Sequence, residues 1–214
     1  SRDAENFQVK ALLLFQRLIR LHLKDKDPSA LIDIELKRLN WIYKNAVISN
    51  KEMVYEQRLN SFFLKHAPHS SASEIRYLLA DFYYEQGQKF QPEQGKAHQG
   101  DIKKAKEIAQ ETLRNYPESL GADQCRRLIS SIERRDMKMT SEAVVSAGLP
   151  FKFLLQYRNT PKVFLRIYSL KQEDLLKLRN TYGEQRIRFF MDHPVKTART
   201  FELPEAGDYQ LHKT

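Results

Sequence analysis

Along roughly the first two thirds of the chain, apolar residues return every three or four positions, and past residue 149 they return every second one. The first spacing is that of an amphipathic helix and the second that of a half-buried strand. Phe7, Ala11, Leu14, Phe15, Leu18 and Leu21 make the first helical stripe. Asp27-Pro28-Ser29 ends it, since proline disfavours helix in the residue before it. A second helix is predicted over residues 30–47, with Leu31, Ile34, Leu39, Trp41, Ile42 and Tyr43 apolar. Ser49-Asn50 supplies capping side chains for a third, which runs to His66 and stops at Ala67-Pro68-His69-Ser70. Residues 73–87, 101–115 and 119–136 read as a fourth, fifth and sixth helix. Short breaks between them predict antiparallel pairing.

One pair in this array resembles a tetratricopeptide repeat. Leu79-Ala80 gives a large residue followed by a small one, Tyr83 the aromatic and Gly87 the turn glycine. Ala105 and Ala109 lie on the second helix, and Tyr116-Pro117 closes the unit. Small side chains at Ala80, Ala105 and Ala109 would let the two helices approach closely. The departure is the link, because Gly87 and Ala105 stand 18 positions apart. Residues 89–100 are therefore expected to form an exposed, polar insertion. A repeat array can offer a concave peptide-binding face, but with barely one recognisable repeat the alanines are expected mainly to pack.

Residues 137–148 are mixed and small, as suits a linker, so the expected division is a helical domain over 1–139, a linker over 140–148 and a β-domain over 149–214. Phe151, Phe153, Leu155 and Tyr157 alternate with more polar neighbours, Arg158-Asn159-Thr160-Pro161 reads as a turn, and Val163, Leu165 and Ile167 alternate again. Together they predict a β-hairpin. Residues 172–180 read as a short helix or an irregular excursion, and 186–191 and 196–203 as two further strands. Four strands fall short of the about seven of a β-sandwich. With Ser1 in place of a starting Met, they lead to the expectation of a piece cut from a longer protein. The fold class expected is α+β, an antiparallel tetratricopeptide-like helical array followed by a partial antiparallel β-sandwich.

Composition narrows the function. The 214 residues are 41% hydrophobic and 29% charged, as in a folded globular protein. The longest apolar run, Ala11-Leu12-Leu13-Leu14-Phe15, is too short to cross a bilayer. A formal charge of +9 raises the question of nucleic acid. It is spread evenly, however, at +4 over residues 1–148 and +5 over 149–214, which is the pattern of solvated faces. The single cysteine, Cys125, excludes an intrachain disulfide framework and a cysteine-based zinc site.

Asn115-Tyr116-Pro117-Glu118-Ser119, Gly121-Ala122-Asp123-Gln124-Cys125 and Leu128-Ile129, then Leu155-Gln156-Tyr157-Arg158-Asn159 and Val163-Phe164-Leu165-Arg166-Ile167-Tyr168, resemble the N-terminal region of large alpha-2-macroglobulin-like proteins of Bacteroides-type bacteria. Leu203-Pro204-Glu205-Ala206-Gly207-Asp208-Tyr209 fits the same resemblance as a loop between strands. It implies a helical segment ahead of the first macroglobulin-like β-domains, in an endopeptidase inhibitor of the cell envelope or periplasm that traps proteases after bait cleavage. Many such proteins carry a thioester within Cys-x-Glu-Gln. Cys125 is followed by Arg126-Arg127-Leu128 and does not match that motif. What the resemblance implies for this chain is thus a scaffold role, with the proteases met by the full-length protein and any membrane anchor lying elsewhere.

No residue set reads as a catalytic, cofactor-binding or metal site. His66 and His69 flank Pro68 without carboxylate or cysteine company, and His193 beside Asp192 precedes a proline. No nucleophile elbow or glycine-rich phosphate loop occurs. Glu133-Arg134-Arg135-Asp136 reads as a solvated helix end, Trp41 with Tyr43 as core, and Cys125 as a buried packed thiol. A non-enzymatic chain without cofactors is expected. The main alternative is a helical adaptor holding a peptide or protein in its groove. A weaker alternative, nucleic-acid binding through Lys103, Lys104, Lys106, Arg126 and Arg127, is disfavoured by the even charge.

Overall fold

The computed structural model describes residues 7–142, 144, 150–204 and 206–214. The fold is α+β, a helical array followed by small antiparallel sheets. It divides into two compact units. One comprises residues 7–134 together with Asp208–Gln210, and the other residues 135–207 and 211–214.

Six α-helices build the first unit: α1 (Phe7–His22), α2 (Ser29–Asn45), α3 (Lys51–His66), α4 (Ala72–Gly87), α5 (Asp101–Asn115) and α6 (Leu120–Glu133). Their bounds follow the apolar period to within a few residues. Asp27, beside Pro28, accepts from the Ser29 backbone N–H at 2.8 Å and from its hydroxyl at 2.6 Å. Ser119 caps α6 by accepting the Ala122 N–H at 3.2 Å. The core is a single cluster in which Ile32, Leu59, Ile75, Ala80, Ala105, Ala109, Cys125 and Ile132 are fully buried. The three alanines of the repeat-like pattern therefore sit where helices meet most closely.

Two glycines owe their place to such approaches. Gly87, read from sequence as a turn residue, is the buried last residue of α4, and a Cβ there would strike the Ile102 side chain at the start of α5. Gly121 lies against the backbone of Ser73, so that α6 and α4 touch main chain to main chain. The stripe of α1 is only partly used. Phe15 meets Trp41 at 6.3 Å between ring centroids, while Phe7, Leu14 and Leu21 remain exposed.

The second unit departs from expectation in three places. Residues 136–141, read partly as the end of a helix and partly as linker, form strand β1 (Asp136–Ser141), which pairs along its whole length with β2 (Phe153–Arg158). Of the rest of the expected linker, residues 143 and 145–148 lie outside the described residues, as does 149 at the expected start of the β-domain. The second departure is the hairpin, which is not formed. β2 pairs with β1 and β5 (His212–Lys213), whereas β3 (Lys162–Tyr168) pairs with β4 (Val195–Glu202) in a separate sheet. Asn159, at φ 50°, turns the chain from one sheet to the other. Third, residues 186–191 are helix. They belong to α8 (Gly183–Asp192), which follows α7 (Gln172–Arg179) between β3 and β4. Phe190 packs on Tyr168 at 5.1 Å, and Phe189 stacks on His193 at 5.2 Å.

The small core of this unit is Leu155, Tyr157 and Leu203, with Phe153 and Val163 packed against it. Lys162 and Glu202 close the β3–β4 ladder with a cross-strand ion pair at 2.7 Å.

Candidate functional site

The helical unit carries an open groove between α2 and α3, with a volume of about 300 Å³. Helical spacing puts Leu39, Ile42, Tyr43 and Ala46 of α2 and its end on one wall, and Val54, Tyr55 and Arg58 of α3 on the other. Its floor is aromatic. Tyr43 and Tyr55 stack at 4.3 Å, and Phe82 of α4 meets both edge-on, at 5.8 and 5.6 Å. Gln86 donates to the Tyr43 hydroxyl at 3.1 Å. Burial holds both tyrosines above the ordinary phenol range, so they stay neutral donors and ring surfaces.

Three cations line this groove and no carboxylate does. Arg38 is held by Glu35 at 2.6 Å. Lys51 lies over the Tyr43 ring at 5.5 Å, and Arg58 is exposed. Among the described residues neither Lys51 nor Arg58 meets a carboxylate at ion-pair distance. Of the nearby glutamates of α3, Glu56 goes to Tyr83, while Glu52 reaches Lys89 at 3.8 Å and still acts, together with Glu85 of α4, on the Tyr43 phenol.

A second polar cluster joins α3, α4 and α5. Tyr83 donates to Glu56 while accepting from Lys104, whose ammonium also sits 3.8 Å from the Tyr83 ring centroid. Burial, then the hydrogen bond to Glu56, raises the pKa of Tyr83 far above that of a free phenol. A phenol so strongly held in its protonated form is suited to clasp three helices, not to exchange protons near neutrality.

The other residues singled out from sequence are scattered by the fold. His66 packs edge-on against Phe62 at 4.8 Å, and burial lowers its pKa. His69 instead accepts the Ser71 N–H at 3.2 Å and lies 3.3 Å from Asp27. His193 is 3.2 Å from the Ser169 carbonyl. Among the described residues no group of three or more His, Cys, Asp or Glu could hold a metal ion. Trp41 and Tyr43 face different partners, Phe15 and Tyr55 respectively.

The basic residues considered for nucleic acid are largely committed within the protein. Lys106 donates to Tyr209 at 2.6 Å and pairs with Glu133 at 2.8 Å. Burial pulls its pKa down, but these two partners outweigh that and hold it high. Lys104 serves Tyr83, and Arg126 serves Asp123 and the Pro117 carbonyl. No described helix is long and apolar enough to cross a membrane.

Cys125 is fully buried, and burial pushes its thiol up to about 11 despite a hydrogen bond with Thr112. A thiol-reactive reagent at pH 8 is expected to label the folded chain on the order of a hundredfold more slowly than the urea-unfolded chain, because the thiolate is the reacting species. Comparable rates would show that α6 opens readily.

Asp81 of α4 points to a different test. Burial, then the Glu85 carboxylate one turn on, raises its pKa, with Lys44 opposing. A carboxyl whose folded pKa exceeds its unfolded one opposes folding when ionised. That penalty is complete above the folded value and fades as the pH falls toward the unfolded one. Asp81→Asn is therefore expected to stabilise the chain at pH 7 by at least the ~0.2–0.5 kcal/mol of a like-charge i,i+4 pair. Urea titrations at pH 7 and near pH 4 should show the gain shrinking in acid.

Comparison with family models, curated proteins and solved structures finds no match to this chain.

Proposed function

We propose that this chain is a non-catalytic N-terminal scaffold of an alpha-2-macroglobulin-like protease trap of the cell envelope. The observation that supports this reading most is where the resembling residues fall. Leu155 to Asn159 form β2 and the corner after it, and Val163 to Tyr168 form β3. Leu155, Tyr157 and Val163 are also the packing residues of the β unit's core. The resemblance thus lies in the framework of that unit and not in a surface decoration. A core of three buried side chains among the described residues suits a unit on which further strands of a parent protein pack. In this role the helical unit positions the β-domains, and protease capture belongs to the full-length protein.

The test is to read the encoding frame on both sides of this segment and challenge the product with a protease. An upstream export signal, a long β-rich continuation, and protease retained with activity on small but not large substrates are the expected results. A stop codon directly after Thr214 would overturn the proposal. A second reading, a helical adaptor, is favoured by one observation, the groove between α2 and α3 with its unpaired cations.

A further inference from the structure

We infer that the α2–α3 groove binds a short acidic peptide segment carrying one large apolar side chain. This sharpens the adaptor reading, on which it rests, and is independent of the protease-trap proposal. Charge complementarity sets the sign of the ligand. Lys51 and Arg58 face the groove with no carboxylate partner among the described residues, while Arg38 keeps its own, Glu35. Leu39, Ile42 and Val54, above the stacked tyrosines, require something apolar between those charges.

Size and charge count separate the ligand classes. About 300 Å³ is the low end of ligand pockets and accommodates a bulky side chain, not a molecule that must be largely engulfed. An anionic membrane surface is usually gripped by clusters of about four to eight basic residues. Tight nucleic-acid binding commonly draws on about six to ten phosphate contacts. Two unpaired cations on the α3 wall, seven residues apart, match a peptide that runs along the furrow and presents carboxylates on either side of a leucine or phenylalanine. The exposed Val47 and Ile48, in the link between the two helices, extend the apolar surface that such a segment would follow.

The probe is a fluorescein-labelled peptide alternating glutamate with leucine and phenylalanine, titrated with the whole chain and followed by anisotropy. Saturable binding is expected, weakening as salt rises from about 50 mM to about 500 mM and the Debye length contracts. Arg58→Glu combined with Lys51→Glu should weaken it about tenfold. Ala46→Trp, which fills the groove without changing its charge, should weaken it to a similar degree, with melting curves confirming that both variants fold. Equal binding of a peptide with lysines in place of the glutamates would overturn the acidic ligand yet leave a peptide-binding adaptor. Binding of neither peptide, or retention only on phosphatidylglycerol vesicles, would overturn the inference and the adaptor reading together.

Discussion

Gly121→Val is expected to destabilise the helical unit by about 3 kcal/mol or more. In an ordinary helix interior, replacing glycine gains stability, with alanine better by about 0.8–1 kcal/mol. Here the sign reverses, because any Cβ at Gly121 would overlap the carbonyl carbon and oxygen of Ser73 and the amide of Glu74. Those are backbone atoms of a buried helix end. Ser73 is fully buried, and its hydroxyl donates to the Ser70 carbonyl at 2.7 Å, so it cannot swing aside. The added side chain must push α6 from α4 and open the cluster that holds Cys125 and Ile132. Urea unfolding followed by circular dichroism measures this directly. Ser130→Ala, on the exposed face of the same helix, should stay within about 0.5 kcal/mol of the parent. A Gly121→Ala variant as stable as the parent would mean the two helices do not meet main chain to main chain.

Phe82→Ala is expected to cost about 3–5 kcal/mol. Phe82 is 5% exposed and meets Tyr43, Tyr55 and Tyr83 edge-on, so its removal leaves three rings without their common neighbour. Each such aromatic pair adds ~0.5–1.5 kcal/mol beyond area burial. The consequence reaches the groove, since Tyr43 and Tyr55 form its floor and Phe82 braces both from behind. The variant should therefore lose stability and also bind the acidic probe peptide more weakly under conditions where it remains folded. A loss under about 1 kcal/mol would show that the cavity collapses and that the aromatic floor does not depend on Phe82.

The helices were legible because each buries one face, and burial of one face writes its period into the sequence. Pro28 marked a break that the fold keeps, whereas the cap expected of Ser49-Asn50 is not made: Asn50 precedes α3 without a side-chain capping bond, and the cap that does form, Ser119 on α6, sits where the sequence indicated only a helix start. The strands were legible only where a face is covered. β2 alternates because Leu155 and Tyr157 point into a core. β1 has all six residues exposed, so backbone pairing with β2 holds it and no side-chain pattern announces it. In α8 the order Arg186-Ile187-Arg188-Phe189 mimics a strand's alternation. The helix prevails there, with Phe189 and Phe190 lying on adjacent aromatic partners. The false hairpin arose from a turn sequence correctly placed but wrongly interpreted, for Asn159 redirects the chain between sheets.

The groove was beyond sequence reading for another reason. Leu39, Ile42 and Tyr43 carry a core signature, and only the spacing of α2 from α3 leaves part of that face uncovered. Arg58 gave no signal at all, because a lone arginine on a helix is ordinary. Its significance lies in Glu56 going to Tyr83 and Glu52 reaching Lys89.

The helical unit also has a timing problem. Gln210, 5% exposed, donates its side-chain amide to the carbonyls of Gly87, His98 and Gln99, at 3.1, 3.3 and 3.4 Å. Asp208 Oδ1 accepts the Gln210 N–H at 3.0 Å, and Tyr209 at φ 59° brings its hydroxyl to Lys106. These three residues belong to the helical unit, yet they are made some 76 residues after Arg134. At synthesis rates of about 5–20 residues per second, the ribosome needs roughly 4–15 s to cover that stretch. For that interval the six helices exist without the residue that satisfies the α4–α5 link. A nascent chain halted anywhere between Arg135 and Gly207 would present that link open, to solvent or to a chaperone.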